Sequence, residues 1–150
     1  MRAIDFLSRE ERRRVEAAIR TAEQYTSGEI RVHIERNCSA DPRERALRSF
    51  HALRMTETSH RNAVLIYIAC NSRKFAVLGD KGINEAVPHG FWNDVCSMLG
   101  EAFVSKRYAD GLEEAVVLIG QKLRAYFPYQ SDDVNELPDE ISFHENDGED

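Results

Sequence analysis

Residues 63–70, Ala-Val-Leu-Ile-Tyr-Ile-Ala-Cys, form the longest unbroken apolar run of this 150-residue chain. The run is far too short to cross a bilayer, which takes about 20 residues in a helix. Its β-branched and aromatic residues suit a pleated strand. A strand apolar at every position has no wet face, so it belongs in the middle of a sheet covered on both sides. Helices must therefore pack on each face of that sheet.

The neighbouring segments supply the other parts. Residues 29–36 alternate, with Ile30, Val32 and Ile34 on one side and Arg31, His33 and Glu35 on the other. That pattern predicts a strand with one wet face near a sheet edge, where His33 is a surface histidine. Between the two strands, Asp41-Pro42 opens a helix as cap and first-turn proline. Ala46, Leu47, Phe50 and Leu53 continue it at helical spacing. A connection of about 25 residues containing a helix is ample for a crossover, so these strands should be parallel. Residues 71–73 then read as a hairpin connection and residues 74–78 as the returning strand.

Ser8-Arg9-Glu10-Glu11 has the spacing of a capping box, followed by a stripe of Val15, Ala18, Ile19 and Ala22. Gly28 ends that first helix. Residues 88–100 and 108–127 are further helical patterns. The second starts with the cap-like pair Asp110 and Glu113 and stops at Pro128. The resulting order, α-β-α-β-β-α-α, predicts an α/β chain folded as a three-layer α/β/α sandwich around a small mixed sheet.

Length and composition agree with one soluble domain of 42% apolar and 31% charged residues. The N-terminal residues hold no apolar stretch of signal-peptide type, which gives a cytoplasmic expectation with no membrane contact. Cys38, Cys70 and Cys96 are odd in number and lack C-x-x-C spacing, against both disulfides and a zinc site. The net charge of −6 is concentrated at one end: residues 131–150 carry nine acids and no base, leaving 20 Lys and Arg against 17 acids before them. No basic stripe with interleaved aromatics marks a nucleic-acid surface. We therefore divide the chain into a domain over residues 1–130 and an acidic tail over residues 131–150. The isolated apolar residues of the tail, Val134, Leu137, Ile141 and Phe143, predict that it drapes over the body as far as Phe143 and then frays.

Topology turns these elements into a candidate site. Two parallel strands begin on the same border of a sheet, and an antiparallel third strand ends there. Glu29, Asn62 and Asp80 should therefore emerge together, with Glu85 turning back over the same border. Two or three carboxylates, an amide oxygen and turn carbonyls make an all-oxygen set suited to a hard cation, calcium above all. The same stretch, Gly79-Asp80-Lys81-Gly82, equally suits a tight turn in which Asp80 caps the segment that follows. Ligands of wound sheets usually sit at the opposite border, beyond the carboxyl ends of the strands. That border holds Arg36, Asn37, Cys38, Asn71 and Ser72 and is poorer in carboxylates. No P-loop, G-x-G-x-x-G, G-x-S-x-G or H-E-x-x-H occurs, and no nucleophile has a base beside it in sequence.

The segments "SGEIRVHI", "RNAVLIYIA", "GDKGI", "FWNDV" and "FVSKRYADGLEEAV", in this order over about residues 6–128, resemble a TPM domain. "DDVNELPDEISF" is similar to the close of stand-alone bacterial members. The resemblance implies an α/β/α sandwich, calcium binding and, in some members, weak acid-phosphatase activity. Glu29, Asn62, Gly79, Asp80, Gly82 and Gly111 match the motif positions. Many relatives carry an acid where this chain has Arg61. The expectation is a binding or accessory module, leaning away from an enzyme, with Glu29, Asn62, Asp80 and Glu85 as ligands of a divalent cation. The alternatives are a metal-assisted acid phosphatase and a protein-interaction domain acting through the acidic tail on a protein partner.

Overall fold

The computed structural model describes residues 1–130 and 135–146. A 3-10 turn (Ala3–Asp5) leads into α1 (Arg9–Ala22), which starts at a complete capping box. Ser8 Oγ accepts from the Glu11 amide at 3.1 Å and Glu11 Oε1 accepts from the Ser8 amide at 2.8 Å. Strand β1 (Glu29–Glu35) follows, then α2 (Pro42–Ala52), whose cap Asp41 accepts from the Arg43 amide at 2.8 Å. Strands β2 (Ala63–Ala69) and β3 (Lys74–Gly79) form the hairpin. Helices α3 (Lys81–Ala86), α4 (Asn93–Val104) and α5 (Tyr108–Arg124) precede a short β4 (Ser142–His144).

The four strands are ordered β3-β2-β1-β4, with β1 parallel to both β2 and β4, and β3 antiparallel to β2. Alternation divides the core into two layers. Ile30, Val32 and Ile34 join Val64, Ile66 and Ile68 under α1, α4 and α5. On the other face Leu65, Tyr67, Ala76 and Leu78 meet Ala46 and Phe50 of α2, with Leu137 of the tail. Every residue of β2 is buried, as an apolar run without a polar face requires. The expected α/β/α sandwich is the observed one.

Four details differ from expectation. The helix expected over residues 88–100 begins only at Asn93, because Gly90 takes φ +79° and breaks the approach, while residues 81–86 form a helix of their own. Asp110 and Glu113 do not cap α5, which starts earlier, at Tyr108. Both carboxylates instead hold Arg14 of α1, tying α1 to α5. The polar side of β1 is not wet: His33 is 6% exposed and Glu35 1%, and β1 lies inside the sheet rather than at its edge.

The reason lies in the fourth difference. The tail adds a strand, β4, on the outer side of β1, and it stays anchored beyond Phe143. Asn146 Oδ1 accepts from the amides of Arg36 and Asn37 at 3.1 and 3.0 Å, and its Nδ2 donates to the Asn37 carbonyl at 2.8 Å. The Glu145 carboxylate accepts from the Ala3 and Ile4 amides at 2.7 and 2.9 Å. Val134 and the extreme end of the tail lie outside the described residues. All three cysteines are free. Among the described residues no helix is long and apolar enough to cross a membrane.

Candidate functional site

The main chain converges as topology dictates. At the border where β1 and β2 start, the Glu29 amide donates to the Asn62 carbonyl at 3.3 Å and the Asp80 amide donates to the Ala63 carbonyl at 2.9 Å. The side chains diverge. Glu29 Oε1 accepts from the amides of Glu136 and Leu137 at 3.1 and 2.9 Å, so it faces the tail. Asp80 faces Arg61, whose Nε and Nη2 donate to its two oxygens at 2.7 and 2.9 Å. Asp80 Oδ1 also accepts from the Lys81 amide at 2.7 Å and caps α3.

Glu29, Asn62, Asp80 and Glu85 therefore do not share one cavity. Glu29 borders a cavity of about 210 Å³, whereas Asp80 and Glu85 border a separate one of about 600 Å³ together with Arg61 and Trp92. Asn62 is buried and reaches the first cavity only through Ser27, its Nδ2 lying 3.4 Å from Ser27 Oγ. Both carboxylate oxygens of Asp80 are already bonded by the Arg61 guanidinium. The turn at Gly79-Asp80-Lys81-Gly82 is structural. A Cβ on Gly82 would lie 2.3 Å from the His60 carbonyl oxygen, and the Gly82 amide donates to the Arg61 carbonyl at 2.8 Å. Glycine here lets α3 press against the main chain that presents Arg61.

Two residues missed in the sequence reading complete the first cavity. Glu23, at the end of α1, accepts from the Ile30 amide through Oε2 at 2.8 Å. Asp139, in the tail, accepts from Asn135 Nδ2 at 3.1 Å and meets the Glu23 carboxyl. Burial pushes the Glu23 carboxyl up to about 9, aided by the hydrogen bond with Asp139. Burial likewise raises Glu29 to about 7, and the amides of Leu137 and Glu136 oppose that rise. Among the described residues no group of three or more His, Cys, Asp or Glu is arranged to hold a metal ion. Arg20 also lines this cavity, but Glu23, Glu29, Asp139, Asn135 and Ser27 bring to it the oxygen donors that a hard cation takes. The signal available in sequence was the short Thr26-Ser27-Gly28 turn, which brings Glu23 back alongside Glu29.

A second polar cluster lies at the opposite end of β1. Glu35 accepts from Arg45 Nε and Nη2 at 2.8 and 2.6 Å and from the Tyr67 hydroxyl at 2.7 Å. His144 Nδ1 and His33 Nε2 lie 3.2 and 3.4 Å from Glu35 Oε1, and His33 Nδ1 is 2.7 Å from Ser142 Oγ. Burial alone would raise the Glu35 carboxyl, but the hydrogen bonds from His33, Arg45, Tyr67 and His144 outweigh it and hold it well below the usual carboxylate range. The Tyr67 hydroxyl is pushed up by burial and by Glu35. This cluster joins β1, β2, α2 and β4 by mutually satisfied bonds, so it serves the fold.

The TPM domain model matches residues 2–122. The chain belongs to the TPM domain family. Its fold is similar to the NMR structure of BA42 protein from the psychrophilic bacterium Bizionia argentinensis, with a TM-score of 0.88 and 41% identity over 93% of this chain and 96% of that one. The N-terminal domain of cg2496 protein from Corynebacterium glutamicum has a TM-score of 0.59 and 13% identity, covering 96% of this chain and 84% of that one. That second likeness concerns the fold alone. No curated protein matches the chain. In this TPM domain the tail completes both the sheet and the cavity at Glu29.

Proposed function

We propose that this TPM domain is a non-catalytic binding module that takes a hard divalent cation, calcium by preference, in the cavity between the start of β1 and the tail. The observation that carries the reading is the convergence of Glu23, Glu29 and Asp139 on one cavity, where they outnumber the single cation, Arg20. Calcium accepts mixed carboxylate, amide and hydroxyl oxygens in irregular geometry, so a set short of three ready-made acidic ligands suits it. Glu29 and Asp139 would supply charge, Glu23 would add its own on releasing the proton that burial holds on it, and Asn135 and Ser27 would give neutral oxygens, with Asn62 orienting Ser27. A bound cation would link α1, β1 and the tail.

The phosphatase alternative has less to support it. Two hydroxyls at this cavity are engaged: Thr26 Oγ1 donates to the Phe127 carbonyl at 2.5 Å and Ser27 Oγ accepts from Asn62 Nδ2 at 3.4 Å. Among the described residues neither is hydrogen-bonded to a carboxylate. Calorimetric titration of the full chain with calcium chloride tests the proposal. Saturable binding that Glu29→Gln weakens at least tenfold supports it. A flat titration, or affinity indifferent to that change, removes it.

A further inference from the structure

A third cavity, of about 400 Å³, opens at the carboxyl end of β2, at the far end of the sheet from Glu29. Its size suits a small organic ligand, and it lies on the border where wound sheets usually receive one. The walls are aromatic. Phe6 and Tyr108 meet with their rings tilted at 42° and centroids 4.5 Å apart, and Phe103 meets Phe75 and Tyr108 edge-on at 5.5 and 5.6 Å. Cys70 and Gly100 complete the apolar lining.

The rim has one sign of charge. Arg73 and Lys106 border the opening and no carboxylate does. Both are exposed, and among the described residues neither is paired. Lys74 also contributes to the wall, but its Nζ donates to the carbonyls of Cys38 and Ala40 at 3.0 and 3.1 Å, so its charge is used elsewhere. The main chain adds an independent observation. Arg73 has φ +55° and Lys106 φ +60°, the left-handed region in which glycine is the unstrained choice. Lys106 follows the end of α4, where glycine would be the ordinary cap. Among the described residues four non-glycine residues have positive φ, Arg54, Arg61, Arg73 and Lys106, and the last two border the same cavity. Retained strain of this kind concentrates at ligand sites.

We propose that this cavity binds an amphipathic carboxylate, its acyl body against Phe6, Phe75 and Phe103 and its head between Arg73 and Lys106. The apolar body gains from leaving water, and the guanidinium and ammonium groups select the charged head. Gly100 provides a clean probe, because a Cβ built there meets nothing within 4 Å. A larger side chain at this helical position would project into the cavity without displacing a neighbour.

The test is titration of the full chain by calorimetry and amide shifts, with octanoate below its micelle concentration, octanol and acetate as probes. The expected result is saturable octanoate binding with shifts at Cys70, Gly100 and Phe103, at least tenfold weaker octanol binding, and none for acetate. Gly100→Leu should abolish octanoate binding while leaving the melting temperature unchanged or higher. The double change Arg73→Gly and Lys106→Gly should reduce octanoate affinity to that of octanol, with stability held or raised. Absence of octanoate binding, equal affinity for octanoate and octanol, or binding unaltered by Gly100→Leu overturns the proposal.

Discussion

Arg61 closes on Asp80 as a fork, with Nε 2.7 Å from Oδ2 and Nη2 2.9 Å from Oδ1. The guanidinium is a cation built into the chain, held by a carboxylate that is only 6% exposed. Asp80 therefore has no charge to offer a metal, whereas Glu29 keeps its place on a different cavity. Asp80→Asn should leave calcium affinity within about twofold of the parent, while Glu29→Gln lowers it at least tenfold, corresponding to about 1.4 kcal/mol. Parallel calorimetric titrations check this, and equal loss in both variants would return Asp80 to the site.

Glu35 tests the other end of β1. Removing a buried carboxylate that serves four side chains leaves Arg45 and two histidines without their acceptor. Glu35→Ala should cost about 3–5 kcal/mol of stability. Tyr67→Phe deletes one hydroxyl donor to the same carboxylate and should cost about 1–2 kcal/mol. Urea unfolding of both variants measures the difference. A milder effect from Glu35→Ala than from Tyr67→Phe would contradict the central place of the carboxylate.

The two ends of β1 give stability opposite pH dependences. The folded-state value of Glu35 lies below its unfolded one, so its contribution is complete above about 4.5 and is lost as pH falls further. Glu29 and Glu23 are raised, to about 7 and about 9. Their contribution is complete below about 4.5 and is lost as pH rises through those values. The melting temperature in chelator should therefore peak near pH 4.5, where the two trends meet. Glu29→Gln should flatten the decline between about pH 4.5 and 7, leaving the acid limb intact. A melting profile whose decline between about pH 4.5 and 7 is unaltered by that change would exclude Glu29 as its source.

Truncation after residue 130 removes β4 together with the buried Leu137 and Ile141. Two buried apolar side chains are worth about 1.5–3 kcal/mol each, so the loss should be at least about 3 kcal/mol. The outer side of β1 would become an unpaired edge, and self-association should rise. Thermal melting with light scattering detects both effects. An equally stable monomer would mean that the tail contributes little to the fold.

Much of this architecture was legible in the residues themselves. The unbroken apolar β2, the alternation of Ile30, Val32 and Ile34, and the Ser8–Glu11 box act locally, through periods and spacings that survive tertiary packing. β4 was not legible because Ser142–His144 is too short to show a period. It is held by Asn146, Glu145 and His144, whose partners are remote in sequence. The same non-local contacts bury His33 and Glu35, which alternation alone assigns to water. For the site, topology delivered the shared border of Glu29, Asn62 and Asp80. It could not show which way each carboxylate turns, because that is decided by the Leu137 amide for Glu29 and by Arg61 for Asp80.

β1 is flanked by two parallel neighbours of unequal kind: β2, buried along its whole length and hydrogen-bonded on both sides, and β4, paired with β1 through His33, Ile34 and Glu35. Deuterium should enter the amides at Ile66 only when the entire molecule opens, whereas those of β4 can exchange through detachment of the tail. A single exchange experiment thus reads two free energies from the same sheet. A cation seated against Glu29 and Asp139 should slow the second clock at the tail far more than the first.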